Sequence, residues 1–450
     1  MVAAACGDVV KSGSDGTDVD APVADAAVDA ADASPVSGPV TVHVRKLDGD
    51  GVGALDLTAT VVFHDSAGTL FADGVVDATG TFTGEMPAEG GDVTVIRRLQ
   101  ETTASVLAVM STVTGVQPGE SIEFGLAARG NTSGTTESMQ ARFAPISNVS
   151  PPTFYTECGS TSGVPSPQPL SLFSTCHGAN VDVFASALDA NGKRHFAVAT
   201  SPFVQGGTIS VPPFTGVYSE FDVKLSNVPA GLSRISGIRY SVLGDTQVDP
   251  QPLTTLPAPP AGTATMLGDY PAAPGLRTQL ALAFDRADSS TRQSVLSRTA
   301  DLTGAVMIDL AASTLPWITR NSFSATVGGF TWTVVQPGGD GDAMAPVWTG
   351  SWNPGQRNTT VAWRITTPWN ATGFVLPRLP PAYAEYDPQA QTVAVAVSTR
   401  SNVTVYDYDQ VPDFATFRKH HDQLLTDVVD AAVLFGTTAF SSRQATTSSQ

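Results

Sequence analysis

Apolar and polar residues alternate through most of the chain from Val40 onward. The segments "VTVHVRKL", "LTATVVFHD", "DVTVIRRL" and "NVTVYDYD" each place an apolar side chain at nearly every second position. Successive side chains of a strand point to opposite faces, so this period of two predicts strands with one buried face. Gly/Asp turn signals such as "AEGG" separate the segments. The pattern predicts an all-β fold of tandem β-sandwich-like domains.

Changes in composition divide the chain into predicted domains. The first sandwich is predicted over residues 40–128, a second β-rich domain over 138–252, and a third over 263–436. A Pro-rich stretch, "DPQPLTTLPAPPAG" at 249–262, is typical of a linker between domains. Within the second domain, Asn191-Gly192 between two alternating runs predicts a β-hairpin.

One segment near the C-terminus has a helical period instead. We predict a helix over 413–435, with Asp413 as its N-cap and Gly436 just after its end. Its apolar-leaning stripe consists of Phe414, Phe417, His421, Leu424, Leu425 and Val428. The remaining residues, 437–450, are rich in Ser and Thr, and we predict a disordered tail.

A short motif in the first domain carries a family resemblance. The stretch "VVDATGTFTGEMPAEGGDVTV" at 75–95 places Asp77, Gly80, Phe82 and Pro87 in a "TDxxGxFxxxxP" rhythm. Over about residues 40–125 the chain thereby resembles the carboxypeptidase regulatory-like (transthyretin-like, Cna-B-like) β-sandwich family. The resemblance implies a tight turn at the glycine and a phenylalanine in the sandwich core. It also implies a structural or adhesive spacer without catalytic residues.

Composition and charge narrow the function classes. Apolar residues make up 42% of the chain and charged residues 15%, with 41 Gly and 32 Pro, which favours buried cores and short strands over long helices. The net charge of −18 argues against nucleic acid as a partner, because phosphates would repel the chain. No run of 18 or more apolar residues occurs, so no transmembrane helix is predicted.

The first residues, "MVAAACGD", place small side chains directly before Cys6. They resemble the end of a bacterial lipoprotein signal, in which the cysteine receives the lipid, although Ala3 stands where Leu is usual. We expect the basic and apolar parts of such a signal upstream of Met1 in the gene. A chance Ala-Cys pair is the alternative.

The residues after Cys6, up to about 39, are rich in Asp and Ala and contain no aromatic residue. Such a composition predicts a disordered, self-repelling tether. We therefore expect a lipid-anchored protein of the bacterial cell envelope, at the outer membrane or cell surface, and otherwise a secreted one.

The other two cysteines, Cys158 and Cys176, flank the Pro/Ser-rich loop "GSTSGVPSPQPLSLFST". A disulfide between them would stabilise the fold by roughly 3 kcal/mol and needs an oxidising compartment. Two free thiols are the alternative, and a metal site is disfavoured because only His177 is adjacent. We favour the disulfide.

Catalytic motifs are missing from the sequence, which contains no HExxH, GxSxG, GxGxxG or P-loop pattern. We therefore expect no enzyme, no cofactor and no metal centre. The Asp-Gly loop "GGDGDA" at 338–343 leaves only weak calcium binding open.

All six tryptophans fall in the third domain, at positions 317, 332, 348, 352, 363 and 369. The alternation places Trp332 and Trp363 in the core. Trp348, Trp352 and Trp369 are candidate ligand-binding residues, since an exposed row of indoles could stack on the sugars of a glycan. Packing in the core is the alternative for these three.

These observations favour a cell-surface lipoprotein that binds or spaces rather than catalyses, with the third domain as the candidate glycan-binding part. The expected partners are the membrane, through the lipid, and a polysaccharide or surface protein. The alternative is a secreted carbohydrate-active or other hydrolase with an unrecognised active site. Two carboxylates roughly 5–10 Å apart beside an exposed Trp would favour that alternative.

The lipid anchor yields a first testable prediction. A clickable fatty acid fed to cells expressing the full-length gene should label the protein, and Cys6→Ser should abolish the label because it removes the acceptor thiol. Cys158→Ser serves as the control and should keep the label. Undiminished labelling of the Cys6→Ser variant would contradict the anchor.

Overall fold

The structure, a computed structural model, describes most of the chain beyond the predicted tether. The described residues are 37–46, 54–125, 135–144, 150–163, 166–174, 176–244, 246–273, 275–289, 292–299, 305–318, 322–336, 340–355, 357–398, 400–426 and 440–448. Cys6 and nearly all of the tether lie outside them. Strands dominate the described residues, which confirms the predicted all-β class.

The first seven strands build one sandwich. They are β1 Gly38–Val44, β2 Thr60–Asp65, β3 Leu70–Val75, β4 Thr81–Met86, β5 Gly91–Glu101, β6 Ser105–Val116 and β7 Ser121–Phe124. The sheet β4–β1–β7 covers the strands β3, β2, β5 and β6. Valines of β1 and Phe63 of β2 meet in a fully buried core between the two layers.

The motif noted in the sequence forms the turn between β3 and β4. Asp77 Oδ1 accepts hydrogen bonds from the backbone N–H groups of Thr79 (2.7 Å) and Thr81 (3.0 Å). Gly80 has a φ of 69°, a conformation that side chains with a Cβ disfavour. Phe82 packs edge-on against Phe63, with ring centroids 5.6 Å apart. The tight turn is therefore present, and Phe82 packs against the sandwich core while staying partly exposed.

The next seven strands form a second sandwich. They are β8 Thr136–Arg142, β9 Thr153–Thr156, β10 Gly159–Ser162, β11 Gln168–Phe173, β12 Asn180–Leu188, β13 Arg194–Pro202 and β14 Thr208–Ser210. The sheet β11–β8–β14 packs on β9 and β12. Strands β12 and β13 are the predicted hairpin, with Gly192 at a φ of 78°. Cys158 and Cys176 form the predicted disulfide, with Cα atoms 5.2 Å apart.

Eight further strands make the middle of the chain. They are β15 Gly216–Val228, β16 Leu232–Leu243, β17 Thr246–Pro252, β18 Leu256–Pro257, β19 Gly262–Pro271, β20 Arg277–Arg286, β21 Arg292–Thr299 and β22 Ala305–Asp309. A layer of β15, β19 and β22 packs on β16, β20 and β21. The Pro-rich segment that was predicted as a linker instead contributes β17 and β18, which both pair with β16. Pro250 and Pro252 lie in β17, the edge strand of the large sheet, where a residue without an N–H is tolerated.

The last third of the chain mixes short and long strands with short helices. Its elements are α1 Leu310–Ser313, β23 Trp317–Ile318, β24 Ser324–Thr326, β25 Gly329–Thr331, β26 Val334–Gln336, β27 Ala343–Trp352, β28 Asn358–Thr366, β29 Gly373–Val375, 3₁₀ turns Pro381–Tyr383 and Pro388–Ala390, β30 Ala396–Val397, β31 Asn402–Tyr408, α2 Phe414–Lys419, α3 His421–Thr426 and β32 Phe440–Ser448. No helix among the described residues is long and apolar enough to cross a membrane.

The predicted C-terminal helix is present in two pieces. Asp413 is the N-cap of α2, and its Oδ1 accepts from the backbone N–H of Thr416 at 2.7 Å. The helix stops at His420, whose φ of −120° and ψ of 18° are not helical, and α3 follows directly. Residues 427–439 lie outside the described part of the chain.

One large sheet connects these regions. Twelve strands follow in the order β17–β16–β20–β21–β32–β31–β27–β28–β6–β5–β2–β3, with β18 and β30 attached at the sides. Strand β6 of the first sandwich pairs in parallel with β28, residues 105–113 alongside 358–366. The division into three separate domains stays a prediction, and the described residues from 37 onward form one compact unit.

The predicted disordered tail is wrong where the structure describes it. Residues 440–448 form β32, which pairs with β21 on one side and β31 on the other. Ala445 and Thr447 of this strand are fully buried. The Ser/Thr-rich composition suggested a loose end because it carries little apolar area, yet both edges of β32 pair with strands from earlier in the chain.

This placement of β32 predicts a sharp difference between two neighbouring substitutions. Ala445→Asp should destabilise the fold by roughly 3 kcal/mol or more, because it buries an unpaired charge. Gln444→Asp, on the partly exposed face of the same strand, should cost far less. Chemical denaturation of the purified variants measures both. Equal, small effects would show that this segment does not sit inside the sheet.

Candidate functional site

The structure buries two of the three candidate tryptophans. Trp348 and Trp352 lie on one face of β27, as the alternation predicted, but they are only 0% and 3% exposed. Their ring centroids are 6.5 Å apart, and the Trp348 indole N–H donates to the carbonyl of Thr326 at 2.8 Å. The small sheet of β24, β25 and β29 contributes residues that cover this face. The prediction of an exposed stacking platform at these two residues is therefore wrong.

Glycine makes room for these rings. Gly350 lies between the two tryptophans on β27, and a Cβ built there would approach the Trp348 ring to 2.3 Å. Trp332 and Trp363 are buried in the same cluster, which confirms their predicted place in the core. The Trp363 indole N–H donates to Thr112 Oγ1 at 2.8 Å. The four indoles of Trp332, Trp348, Trp352 and Trp363 therefore belong to one hydrophobic core.

Trp369 differs from these four because it is only partly buried. One side of it packs against the tryptophan cluster, and it also lines a cavity of about 720 Å³. We call this cavity the Trp369 cleft. Its lining includes Asp340, Asp342, Trp369, Asn370, Asp407, Tyr408, Asp409, Asp413, Phe414 and Arg443. The cleft combines an aromatic wall with a dense set of polar side chains.

Strand pairing brings the two sides of the cleft together. Met344 at the start of β27 exchanges backbone hydrogen bonds of 2.8 and 2.9 Å with Thr367, just after β28. This bridge places the 368–370 segment beside residues 340–342. Gly341 allows the close approach, since a Cβ there would lie 3.2 Å from the Trp369 Cβ. Trp369 is therefore held against the acidic loop by backbone geometry.

Asp342 anchors one wall of the cleft. Its backbone N–H donates to the carbonyl of Tyr406 at 2.8 Å, and its Oδ2 accepts from the backbone N–H of Tyr408 at 2.7 Å. The residue is only 8% exposed. Burial raises the pKa of the Asp342 carboxyl to about 7, with the Tyr408 hydrogen bond opposing and the nearby Asp407 charge adding to the rise.

Asp407 forms the neighbouring part of the wall. It lies opposite Arg443 in the β31–β32 register, and Arg443 Nε donates to its Oδ2 at 2.5 Å. Burial raises the pKa of Asp407 as well, while the guanidinium opposes the rise. Asp413 behaves differently, because the backbone hydrogen bond from Thr416 lowers its pKa. The cleft therefore contains carboxyls with different proton affinities.

The sequence signalled some of these residues and missed others. Trp369 was a candidate, and Asp342 lies in the Asp-Gly loop that was noted for weak calcium binding. Asp407 was missed, although it follows Val403 and Val405 on the apolar face of β31, where a carboxylate is unexpected. No group of three His, Cys, Asp or Glu side chains in the described residues is arranged to hold a metal ion.

Comparisons with known proteins find little similarity. No protein-family profile and no curated protein matches the sequence. Among solved structures, the Bacillus anthracis TIE protein has 10% sequence identity to this chain and a TM-score of 0.15. The matched region covers 61% of this chain and 50% of the TIE chain. Two B repeat units of the collagen binding protein of Staphylococcus aureus are 9% identical, with a TM-score of 0.12, covering 73% of this chain and 99% of theirs. This chain thus spans half of the TIE chain. These similarities carry no argument about function.

The raised pKa of Asp342 has a consequence for stability. In the folded state the carboxyl keeps its proton up to about pH 7, whereas its ordinary pKa is 3.8. Between these values the folded state holds a proton that the unfolded state has lost, so this group's contribution to stability falls as pH rises. Asp92, whose pKa burial raises to about 6, acts in the same direction.

We therefore expect Asp342→Asn to stabilise the fold at pH 8 by roughly 1–4 kcal/mol, since each tenfold change in proton affinity corresponds to about 1.4 kcal/mol. Asparagine keeps an acceptor for the Tyr408 N–H. At pH 5 the gain over the parent protein should fall to about half or less, and it should vanish only below the ordinary pKa of 3.8. Asp73→Asn, at an exposed position of β3, is the control and should change little at either pH. Denaturation curves at both pH values decide this, and a gain that does not depend on pH would contradict it.

Proposed function

We propose that the chain is a non-catalytic binding protein of the bacterial cell envelope that holds a glycan in the Trp369 cleft. The observation that carries this proposal is the half-buried Trp369, fixed against the core on one side and lining a cavity with carboxylates on the other. A chain that acts only as a spacer has no need of such a concave aromatic surface. Binding is therefore favoured over spacing alone.

The chemistry of the cleft suits a sugar ring. An indole face offers apolar area to the C–H face of a pyranose, and the carboxylate, amide and guanidinium groups of the wall can hydrogen-bond to ring hydroxyls. Five aspartates face a single arginine across the described lining. This balance favours a neutral or amino-bearing glycan and disfavours an acidic one.

The geometry favours holding a ligand over cleaving it. The Asp407 carboxylate pairs with Arg443, and the Asp342 carboxyl accepts a backbone hydrogen bond, so both side chains already have partners within the fold. A glycoside hydrolase is the second candidate function, because Asp342 keeps its proton near neutral pH as a general acid must. In that case Asp342 would protonate the leaving oxygen.

The location in the cell envelope is part of the proposal. It rests on the lipoprotein-like Cys6 and on the acidic segment that follows it. The Cys158–Cys176 disulfide supports export, because such bonds persist in oxidising compartments. The resemblance of residues 40–125 to carboxypeptidase regulatory-like domains adds a spacer role for the first sandwich.

The binding proposal is tested with a panel of insoluble and soluble polysaccharides. Trp369→Ala should weaken retention on a bound glycan by roughly tenfold or more, since truncating an aromatic anchor costs about 1.4 kcal/mol or more. Trp369→Phe keeps a ring and should retain much of the affinity. Phe71→Ala removes an exposed ring on the distant edge strand β3 and is the matched control.

Thermal unfolding of each variant separates lost binding from lost folding. A panel on which the parent protein binds no glycan, or binding that Trp369→Ala leaves intact, would contradict the proposal. Release of reducing ends from a bound glycan, abolished in Asp342→Asn, would establish the hydrolase instead.

A further inference from the structure

The helix α2 connects the Trp369 cleft with the first sandwich. Its first residue, Phe414, lines the cleft, and so does its N-cap, Asp413. Arg418, one turn further along the same helix, is buried. A helix of six residues is too short to be stable by itself in water, so tertiary contacts hold α2 in place. The position of this part of the cleft wall therefore depends on what the rest of the helix contacts.

Arg418 makes the contact with the first sandwich. Its Nε donates to Glu120 Oε2 at 3.0 Å and its Nη2 to Oε1 at 2.5 Å, so the guanidinium binds both oxygens of one carboxylate. Glu120 is itself fixed at the turn from β6 to β7. Its Oε2 accepts from the backbone N–H of Gln117 at 3.0 Å, and its carbonyl accepts from the backbone N–H of Thr41 at 3.0 Å. A two-point pair of this kind fixes the orientation of the guanidinium as well as its distance.

The same guanidinium lies over Phe414. Arg418 Cζ is 5.9 Å from the centre of the Phe414 ring, within the range of a cation–π contact. The two residues are four apart, which places them on one face of the helix. Phe414 is partly exposed, as Trp369 is, and both rings line the cleft. A chain of direct contacts thus leads from Glu120 through Arg418 to an aromatic ring in the cleft wall.

The other anchor of α2 is apolar. The ring centroid of Phe417 lies 6.2 Å from that of Tyr408 and 6.1 Å from that of Tyr406, and these contacts attach the helix to the large sheet. Apolar packing of this kind is not directional, whereas the pair of Arg418 with Glu120 is. The ion pair is therefore the contact that orients the Phe414 ring.

We propose that the Arg418–Glu120 pair positions Phe414 as a second aromatic wall of the Trp369 cleft and so sets the width of the cleft. The inference rests on the proposed function for its ligand, a sugar ring that contacts both Trp369 and Phe414. The positioning itself is measurable without a ligand. Loss of the pair lets Phe414 move, which exposes more of the Trp369 ring to solvent and weakens the grip on a sugar.

The test without a ligand is acrylamide quenching of tryptophan fluorescence. The other five tryptophans are at most 3% exposed, so this solute reports mainly on Trp369. Arg418→Met keeps an unbranched stem without the guanidinium and should increase the quenching of the folded protein. Arg418→Lys should have a smaller effect in the same direction, because an ammonium keeps the charge but lacks the planar fork. Trp369→Phe should remove most of the quenchable emission, which verifies the assignment.

Glu101→Gln is the matched control for Glu120→Gln. It makes the same substitution and removes the partner of Arg357, an ion pair of 2.8 Å whose two residues are absent from the described lining of the cleft. Quenching should rise in Glu120→Gln and stay unchanged in Glu101→Gln. Combining Glu120→Gln with Arg418→Met should add little to Arg418→Met alone, because both changes remove one interaction. Thermal unfolding shows that each variant is folded at the temperature of the measurement.

Calorimetric titration with cellohexaose and N-acetylchitohexaose tests the link to the ligand. Phe414→Ala should weaken binding by about tenfold, and Arg418→Met by about threefold. Unchanged quenching in folded Arg418→Lys and Glu120→Gln would overturn the inference, as would full affinity of Phe414→Ala for a sugar that the parent protein binds. If the parent protein binds neither sugar while loss of the pair still increases quenching, the positioning stands and the glycan proposal fails for these two sugars.

Discussion

The parallel pairing of β6 with β28 is the constraint on which the architecture depends. It joins residues 105–113 to 358–366, and it places Thr112 beside Trp363, 251 residues away, so that the indole N–H is satisfied. The entropy cost of closing such a long loop grows only slowly with its length, whereas burying a tryptophan removes a large apolar area from water. This pairing continues the large sheet from the first sandwich into β28, β27 and β31, beside which the Trp369 cleft lies.

Two of the buried charged side chains, Asp407 and Arg239, each have an ion-pair partner. Asp407 lies opposite Arg443, and Arg239 is held by Asp249 in the interior. A buried charge that lost its partner would cost several kcal/mol, so these pairs favour one register over its neighbours. The Asp407–Arg443 pair also lines the Trp369 cleft.

The glycan class proposed for the Trp369 cleft agrees with the charge of the whole chain. A net charge of −18 creates a field that concentrates cations near the surface and disfavours anions. The Trp369 cleft lies within this negative field and has an aromatic wall, so it suits a neutral or amino-bearing sugar.

The sequence by itself determined the local features. Alternation predicted the strands, Asn191-Gly192 the hairpin, and Asp413 the helix start, because each depends on a few adjacent residues whose conformational preferences are strong. The tertiary structure alone decided which faces are covered. Alternation shows that Trp348 and Trp352 share a face, but only the sheet of β24, β25 and β29, drawn from elsewhere in the chain, makes that face interior. The polar C-terminal segment likewise became a central strand because β21 and β31 leave a gap that pairs both of its edges. Such long-range contacts leave no mark in the local pattern, since their energy comes from partners distant in sequence.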